Sequence, residues 1–144
     1  MEFFDNLRGC LQATQSPNTE LRVAAESEIR SLRDQDPKKF MATLTRDIAD
    51  ESFDVGSRQM ACIIFKNFII NRSGDSKYEG YWINLDSQFR SQVKEAIITM
   101  LASPQALVRS QIANVVAAIG SIEIPRNEWL DLLPNLCANA EHTE

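Results

Sequence analysis

The chain has 144 residues, of which 44% are hydrophobic and 24% charged, with a net charge of −5. That is one domain's length and an ordinary globular composition, enough to bury a core. It lacks the basic field that a general nucleic-acid or anionic-membrane binder needs, so no nucleic acid is expected as a partner, and its acidity favours basic ones.

The N-terminus, MEFFDNLRGC, carries acidic residues at once and has no basic region before an apolar run, so it does not read as a signal peptide. Phe3, Phe4, Leu7, Cys10 and Leu11 recur at helical spacing and predict a helix over Glu2–Gln15. Ser16-Pro17 reads as an N-cap with proline at the first helical position, opening a helix to about Leu32 with Leu21, Ala25, Ile29 and Leu32 inward. Asp36-Pro37 repeats that start, and Phe40, Leu44 and Ile48 carry the stripe of a third helix.

Ser52 leads into a strongly apolar stretch, Ser57–Asn71, SRQMACIIFKNFIIN. Turning 100° per residue, Met60, Ala61, Ile64, Phe65 and Phe68 share one arc, and Gln59, Ile63, Lys66, Asn67 and Ile70 the other. A helix this apolar must be covered on most of its circumference. It reads as the inner helix of a helical repeat, with Lys66-Asn67 on its open stripe.

Arg72–Leu85 is the one long break, with Gly74, Gly80 and aromatics that read as exposed: Tyr78, Tyr81 and Trp82. Asp86 caps a fifth helix lined by Phe89, Val93, Ile97 and Met100-Leu101. Ser103-Pro104 starts a sixth, reaching about Gly120, with Val108, Ile112, Val116 and Ile119 inward. A last helix after Pro125 is expected to hold Trp129, Leu132-Leu133 and Leu136. Nothing reads as a strand pair, and no run reaches the roughly 18 apolar residues that span a bilayer. No membrane insertion is expected. The prediction is all-α.

A register runs through these helices. Ser16, Ser52 and Ser103 each stand six residues before an arginine, at Arg22, Arg58 and Arg109. Three residues further come Ala25, Ala61 and Ile112, and seven further Ile29, Phe65 and Val116. Hairpins in one register predict an α-solenoid, in which each unit buries its face by stacking on the next. The expected units are hairpins over 1–33 and 36–72, an inter-repeat loop over 73–85, a hairpin over 86–120, and the first helix of a truncated fourth unit over 125–140. The arginines read as a ladder bonding carbonyls or carboxylates between repeats. With no capping helix at its end, the chain reads as the N-terminal piece of a longer protein, and the uncapped end predicts self-association.

Catalysis has little to stand on. The only histidine, His142, lies in the AEHTE tail, and Cys10, Cys62 and Cys137 are widely spaced among apolar residues, as reduced thiols are in an intracellular protein. No Gly-rich phosphate loop, metal cluster or G-x-S-x-G is present. No catalytic residue, metal or cofactor is expected. The open stripe is the better candidate. The positions matching Gln59, Ile63, Lys66 and Asn67 are Val23, Ser27, Arg30 and Ser31 in the first hairpin, and Ser110, Asn114, Ala117 and Ala118 in the third.

The Val-Arg step after a hairpin turn resembles the HEAT-repeat consensus, with serine where that consensus usually has aspartate. Four segments in order are more specific: EFFDNL, IIFKNFI, YWINLD and SIEIPRNEWLDLLPNLCAN. They resemble the N-terminal repeats of the importin-β (karyopherin-β) family of nuclear transport receptors. The resemblance implies a right-handed superhelix of HEAT repeats that shuttles between cytoplasm and nucleus through the nuclear pore. It implies that the first repeats bind the small GTPase Ran in its GTP form through inner helices, releasing cargo. By this likeness Lys66 and Asn67, in the family's K-N step, are the first choice for Ran contacts, and Arg30, Gln59 and Asn114 follow by register. The parent receptor's sites for importin-α, for cargo localisation signals and for phenylalanine-glycine nucleoporins would lie largely in later repeats. The alternative reading is a HEAT scaffold of another class, a vesicle-coat or phosphatase scaffold subunit, with no nucleotide-dependent partner.

Overall fold

A computed structural model describes residues 2–129, and among these every regular element is helical. They divide into two compact units, one ending at Ala61 and one beginning at Cys62. Each is considered by itself.

In the first unit, helix α1 (Glu2–Ala13) packs with α2 (Thr19–Gln35), and α2 with α3 (Pro37–Ala49). The core takes Phe3, Leu7 and Leu11 from α1, Ala25, Ile29 and Leu32 from α2, and Phe40, Leu44 and Ile48 from α3. Leu21, expected inward, is 54% exposed. It shares a face with Leu32 but sits in the first turn of α2, where nothing in the unit covers it.

The start of α2 also differs from expectation. Asn18 is the N-cap, its side chain accepting from the amides of Glu20 and Leu21 at 2.9 and 3.3 Å. Ser16 acts one step earlier, accepting from the Asn18 amide at 3.1 Å. Asp36 serves two helices: its amide donates to Leu32, closing α2, while its carboxylate accepts from the Lys39 amide of α3. Pro37 follows at a position whose amide would have no helical partner.

The repeat arginines bond within their own turns, not as a ladder between repeats. Arg22 donates to the Ser16 carbonyl at 2.9 Å, and Arg109 in the second unit to the Ser103 carbonyl at 2.7 Å. Arg58 donates to the Ile48 carbonyl at 2.9 Å and to Glu51 at 3.1 Å. For Arg22 and Arg109 the six-residue offset is the reach back to a carbonyl of the preceding connection, whereas Arg58 reaches ten residues back to a carbonyl at the end of α3, which helix geometry would otherwise leave orphaned.

Near the end of α3, Arg8 bonds Asp47 at 2.8 Å and also Asp50, with its guanidinium 4.4 Å from the Phe53 ring centroid. Bonds from Arg8 and Ser52 hold the Asp50 carboxyl well below the usual carboxylate range. Burial pushes the fully covered Asp47 carboxyl up, against the pull of Arg8. The signs oppose. The depressed Asp50 contributes stability that is present above its unfolded pKa of about 3.9 and lost as pH falls through its folded value. Asp47 takes up its proton more readily when folded, so its protonation favours the fold as pH drops. Asp50→Asn should therefore flatten the loss of melting temperature below about pH 4, measured by circular dichroism. An unchanged slope would mean that the Arg8–Asp50 pair carries no acid sensitivity.

Helix α4 (Val55–Ile69) runs from the first unit into the second, burying Ala61, Cys62, Phe65, Phe68 and Ile69. The second unit continues with a short helix α5 (Tyr81–Asn84), then α6 (Ser87–Thr99) and α7 (Ala106–Glu123). Asp86 caps α6 as expected, accepting from the Phe89 amide at 3.0 Å. Val93, Ile97 and Met100 pack with Val108, Ile112, Val116 and Ile119. Ser103 accepts from the Gln105 amide and does not cap α7, which begins after Gln105 and continues past Gly120 to Glu123. By length and composition Ala106–Arg126 would also suit a bilayer, against the reading that no such stretch exists. Here its apolar stripe forms the core of the unit.

Two further expectations are corrected. Tyr78 and Trp82 are buried, at 5% and 1% exposure, not displayed on a loop. Trp129 is not helical: a 3-10 turn over Ile124–Arg126 ends at Asn127 in the left-handed region, and Trp129 itself has φ of 57°. Pro125 cannot donate a helical hydrogen bond, and the left-handed Asn127 stops propagation. Leu132, Leu133, Leu136, Cys137 and His142, with most of the expected 125–140 unit and the uncapped end, lie outside the described residues.

Candidate functional site

The last turn of α4 places Lys66 and Asn67 side by side, both half-buried. Asn71, at φ 52°, takes the left-handed conformation that ends the helix. The Arg72 amide donates to the Asn67 carbonyl at 2.9 Å and the Asn71 amide to the Phe68 carbonyl at 3.1 Å. Such a paired closure satisfies the carbonyls of a helix end and is tolerated by asparagine as well as glycine. The Asn71 side chain ties the turn onward, donating to the Asp75 carbonyl at 3.1 Å.

Two polar groups at this end remain unspent. Lys66 has no ion pair or side-chain hydrogen bond among the described residues. The Asn67 Oδ1 atom is buried and has no hydrogen-bond partner. Buried acceptors without partners cost free energy, and in native proteins they are few. A cation at a helix C-terminus gains from the helix dipole. That gain suits Lys66 to its position without consuming its hydrogen-bonding capacity.

The turn rests on aromatic side chains. Phe68 stacks on Tyr81, centroids 5.3 Å apart, and meets Tyr78 edge-on at 4.9 Å. Phe65 meets Trp82 edge-on at 6.4 Å. The Trp82 indole donates to Glu123 Oε2 at 2.7 Å, and Lys94 donates to Glu123 Oε1 at 2.7 Å. None of this support was legible as such. The usable signal was composition: three aromatics within five residues, Tyr78, Tyr81 and Trp82, are many to leave in water.

The other expected residues lie apart from this turn. Gln59 is half-buried on α4, seven residues before Lys66. Arg30 is exposed on α2 in the first unit. Asn114 is exposed on α7, its side chain 3.5 Å from Gln111. Only Lys66 and Asn67 share one turn. Among the described residues no group of acidic, histidine or cysteine side chains is arranged to hold a metal.

A family model, the importin-β N-terminal domain, matches residues 25–103, more than half of the chain. Importin subunit beta-1 of Schizosaccharomyces pombe is 30% identical over 131 residues, covering 90% of this chain and 15% of that protein. Importin subunit beta-1 of Arabidopsis thaliana is 29% identical over 127 residues, covering 87% of this chain and again 15% of the relative. The chain thus spans about a seventh of these relatives' length. A crystal structure of importin-β superposes with a TM-score of 0.83 at 31% identity, over 90% of this chain and 15% of that one. A structure in which Kap95p induces the switch loops of RanGDP to adopt the GTP-bound conformation superposes at 0.80 and 21% identity, over 91% and 16%. The second likeness shows the fold alone.

Proposed function

The chain belongs to the importin-β N-terminal domain family, whose fold is an all-α solenoid of HEAT repeats, and from that premise we propose that it is the Ran-binding portion of a nuclear import receptor. In this reading it binds Ran in the GTP form through its inner helices, and that binding controls cargo release as the receptor shuttles between cytoplasm and nucleus. Chemistry on the nucleotide belongs to Ran, and the chain supplies a surface. Importin-α or cargo, and nucleoporins, are partners of the parent receptor; one solved importin-β neighbour is a complex of Kap95 with Nup1.

The observation that carries the proposal is the pair at the end of α4: an uncommitted Lys66 beside an Asn67 with a buried acceptor and no partner. Lys66 would pair an acidic group of Ran and Asn67 would accept a backbone amide. A well-aligned, desolvated charge contact of this kind is worth about 2–5 kcal/mol on truncation. Gln59, Arg30 and Asn114 are proposed as further Ran contacts by register, with smaller effects than Lys66 and Asn67.

The test is binding to Ran loaded with a non-hydrolysable GTP analogue against Ran loaded with GDP, for wild type and Lys66→Glu. The expected result is tighter binding of the GTP form, weakened about tenfold or more by the substitution, which corresponds to about 1.4 kcal/mol. Nucleotide-dependent binding indifferent to Lys66 would discard the site. A folded chain that ignores Ran in both forms would favour a scaffold of another class.

A further inference from the structure

The end of α4 is not held by its own helix alone, and the 71–85 connection beneath it is fastened at two places. At Trp82 the indole N–H donates to Glu123, whose carboxylate is fully buried and also accepts from Lys94. At Leu85 the carbonyl accepts from Arg90 Nε at 3.2 Å, while Arg90 NH1 lies 3.6 Å from Glu123 and 3.2 Å from Glu128. Between these fastenings and α4 lie the aromatic contacts of Trp82 with Phe65 and of Tyr78 and Tyr81 with Phe68, beside the Asn71–Asp75 bond. Phe68 follows Asn67 directly in sequence.

We infer that Trp82 and Glu123 are positioning residues for the Lys66-Asn67 turn: the buried indole–carboxylate bond anchors the 71–85 connection, whose aromatics clamp the last turn of α4. The closure at Asn71 joins the turn to the connection, so order in the turn depends on where the connection is held. If the indole loses its acceptor, the connection loses one of its two polar fastenings, and the ring contacts of Tyr78 and Tyr81 with Phe68 loosen. The claim about order in the turn stands on this geometry; its consequence for binding rests on the Ran-binding reading.

The experiment is amide hydrogen exchange on the full chain, comparing wild type, Trp82→Phe and Glu123→Gln, with Ran affinity measured on the same samples. Trp82→Phe keeps an aromatic ring against Phe65 but deletes the donor together with part of the buried indole, whereas Glu123→Gln removes the charge with the packing unchanged. The expected result is exchange at least tenfold faster over residues 66–72, with residues 37–49 unchanged, and a matching loss of Ran affinity. Tyr81→Ala, which leaves the Glu123 bond intact, is expected to reproduce the faster exchange over 66–72. Exchange unchanged over 66–72, or accelerated equally throughout the chain, would overturn the inference, because a bond that only adds general stability moves every segment together. Should the wild type not bind Ran, the functional reading falls, and the exchange data still decide the anchor.

Discussion

Glu123→Ala is expected to destabilise the second unit by about 3–5 kcal/mol, the usual cost of removing one partner from a buried charge cluster. The Glu123 side chain has no exposed surface, and the two cations beside it are nearly covered, Arg90 at 9% and Lys94 at 14%. Alanine would leave both cations short of a counter-charge and the Trp82 indole without its acceptor, in a region where water cannot replace the carboxylate. Glu128 still reaches Arg90 at 3.2 Å, so the lysine and the indole carry most of the loss. Trp82→Phe removes one hydrogen bond and part of a fully buried ring, and about 2–3 kcal/mol is expected. Urea unfolding followed by far-ultraviolet circular dichroism measures both. A loss below 1 kcal/mol for Glu123→Ala, with an unchanged dependence on urea, would mean that the cluster is hydrated.

The contrast between α7 and the 71–85 connection explains what could be read in advance. On α7 the inward set of Val108, Ile112, Val116 and Ile119 was legible because a helical period repeats the same face every three or four residues, and all four are buried. Trp82 had no such period around it. It stands in a four-residue helix preceded by the N-cap Gly80, whose φ of 67° is in the left-handed region, so neither helical nor strand spacing marks its side. Its partner Glu123 lies 41 residues away, and an acid at the end of a helix reads as solvated from sequence alone. Long-range polar pairing leaves no local mark.

The candidate site divides in the same way. The unusual Lys66-Asn67 step was visible because a polar pair interrupts a strongly apolar helix. What makes it a candidate physically, the buried Asn67 Oδ1 atom with no partner, is a property of the folded packing around the end of α4 that no local sequence pattern marks. Arg30 and Asn114 entered by register alone, and register transfers a position on a helix without its surroundings.

Arg58→Ala is expected to cost about 3 kcal/mol, whereas Arg22→Ala and Arg109→Ala should each cost no more than about 1 kcal/mol, although the three arginines share one sequence register. The difference is burial. Arg58 is fully covered, while Arg22 and Arg109 are part-exposed and bond a single carbonyl of their own turn. Truncating Arg58 would open a cavity and orphan the Ile48 carbonyl, with Glu51 free to return to water because half its side chain is already exposed. Arg58→Met separates the two effects: it fills most of the space but cannot donate, so only the orphaned carbonyl remains, at about 1–2 kcal/mol. The buried NH2 group of Arg58 has no hydrogen-bond partner, and methionine removes that liability as well. Thermal and urea melts of the four variants would check the ordering. Equal losses at Arg22, Arg58 and Arg109 would mean that the single carbonyl bond each one makes, not burial, sets the value of the repeat arginine.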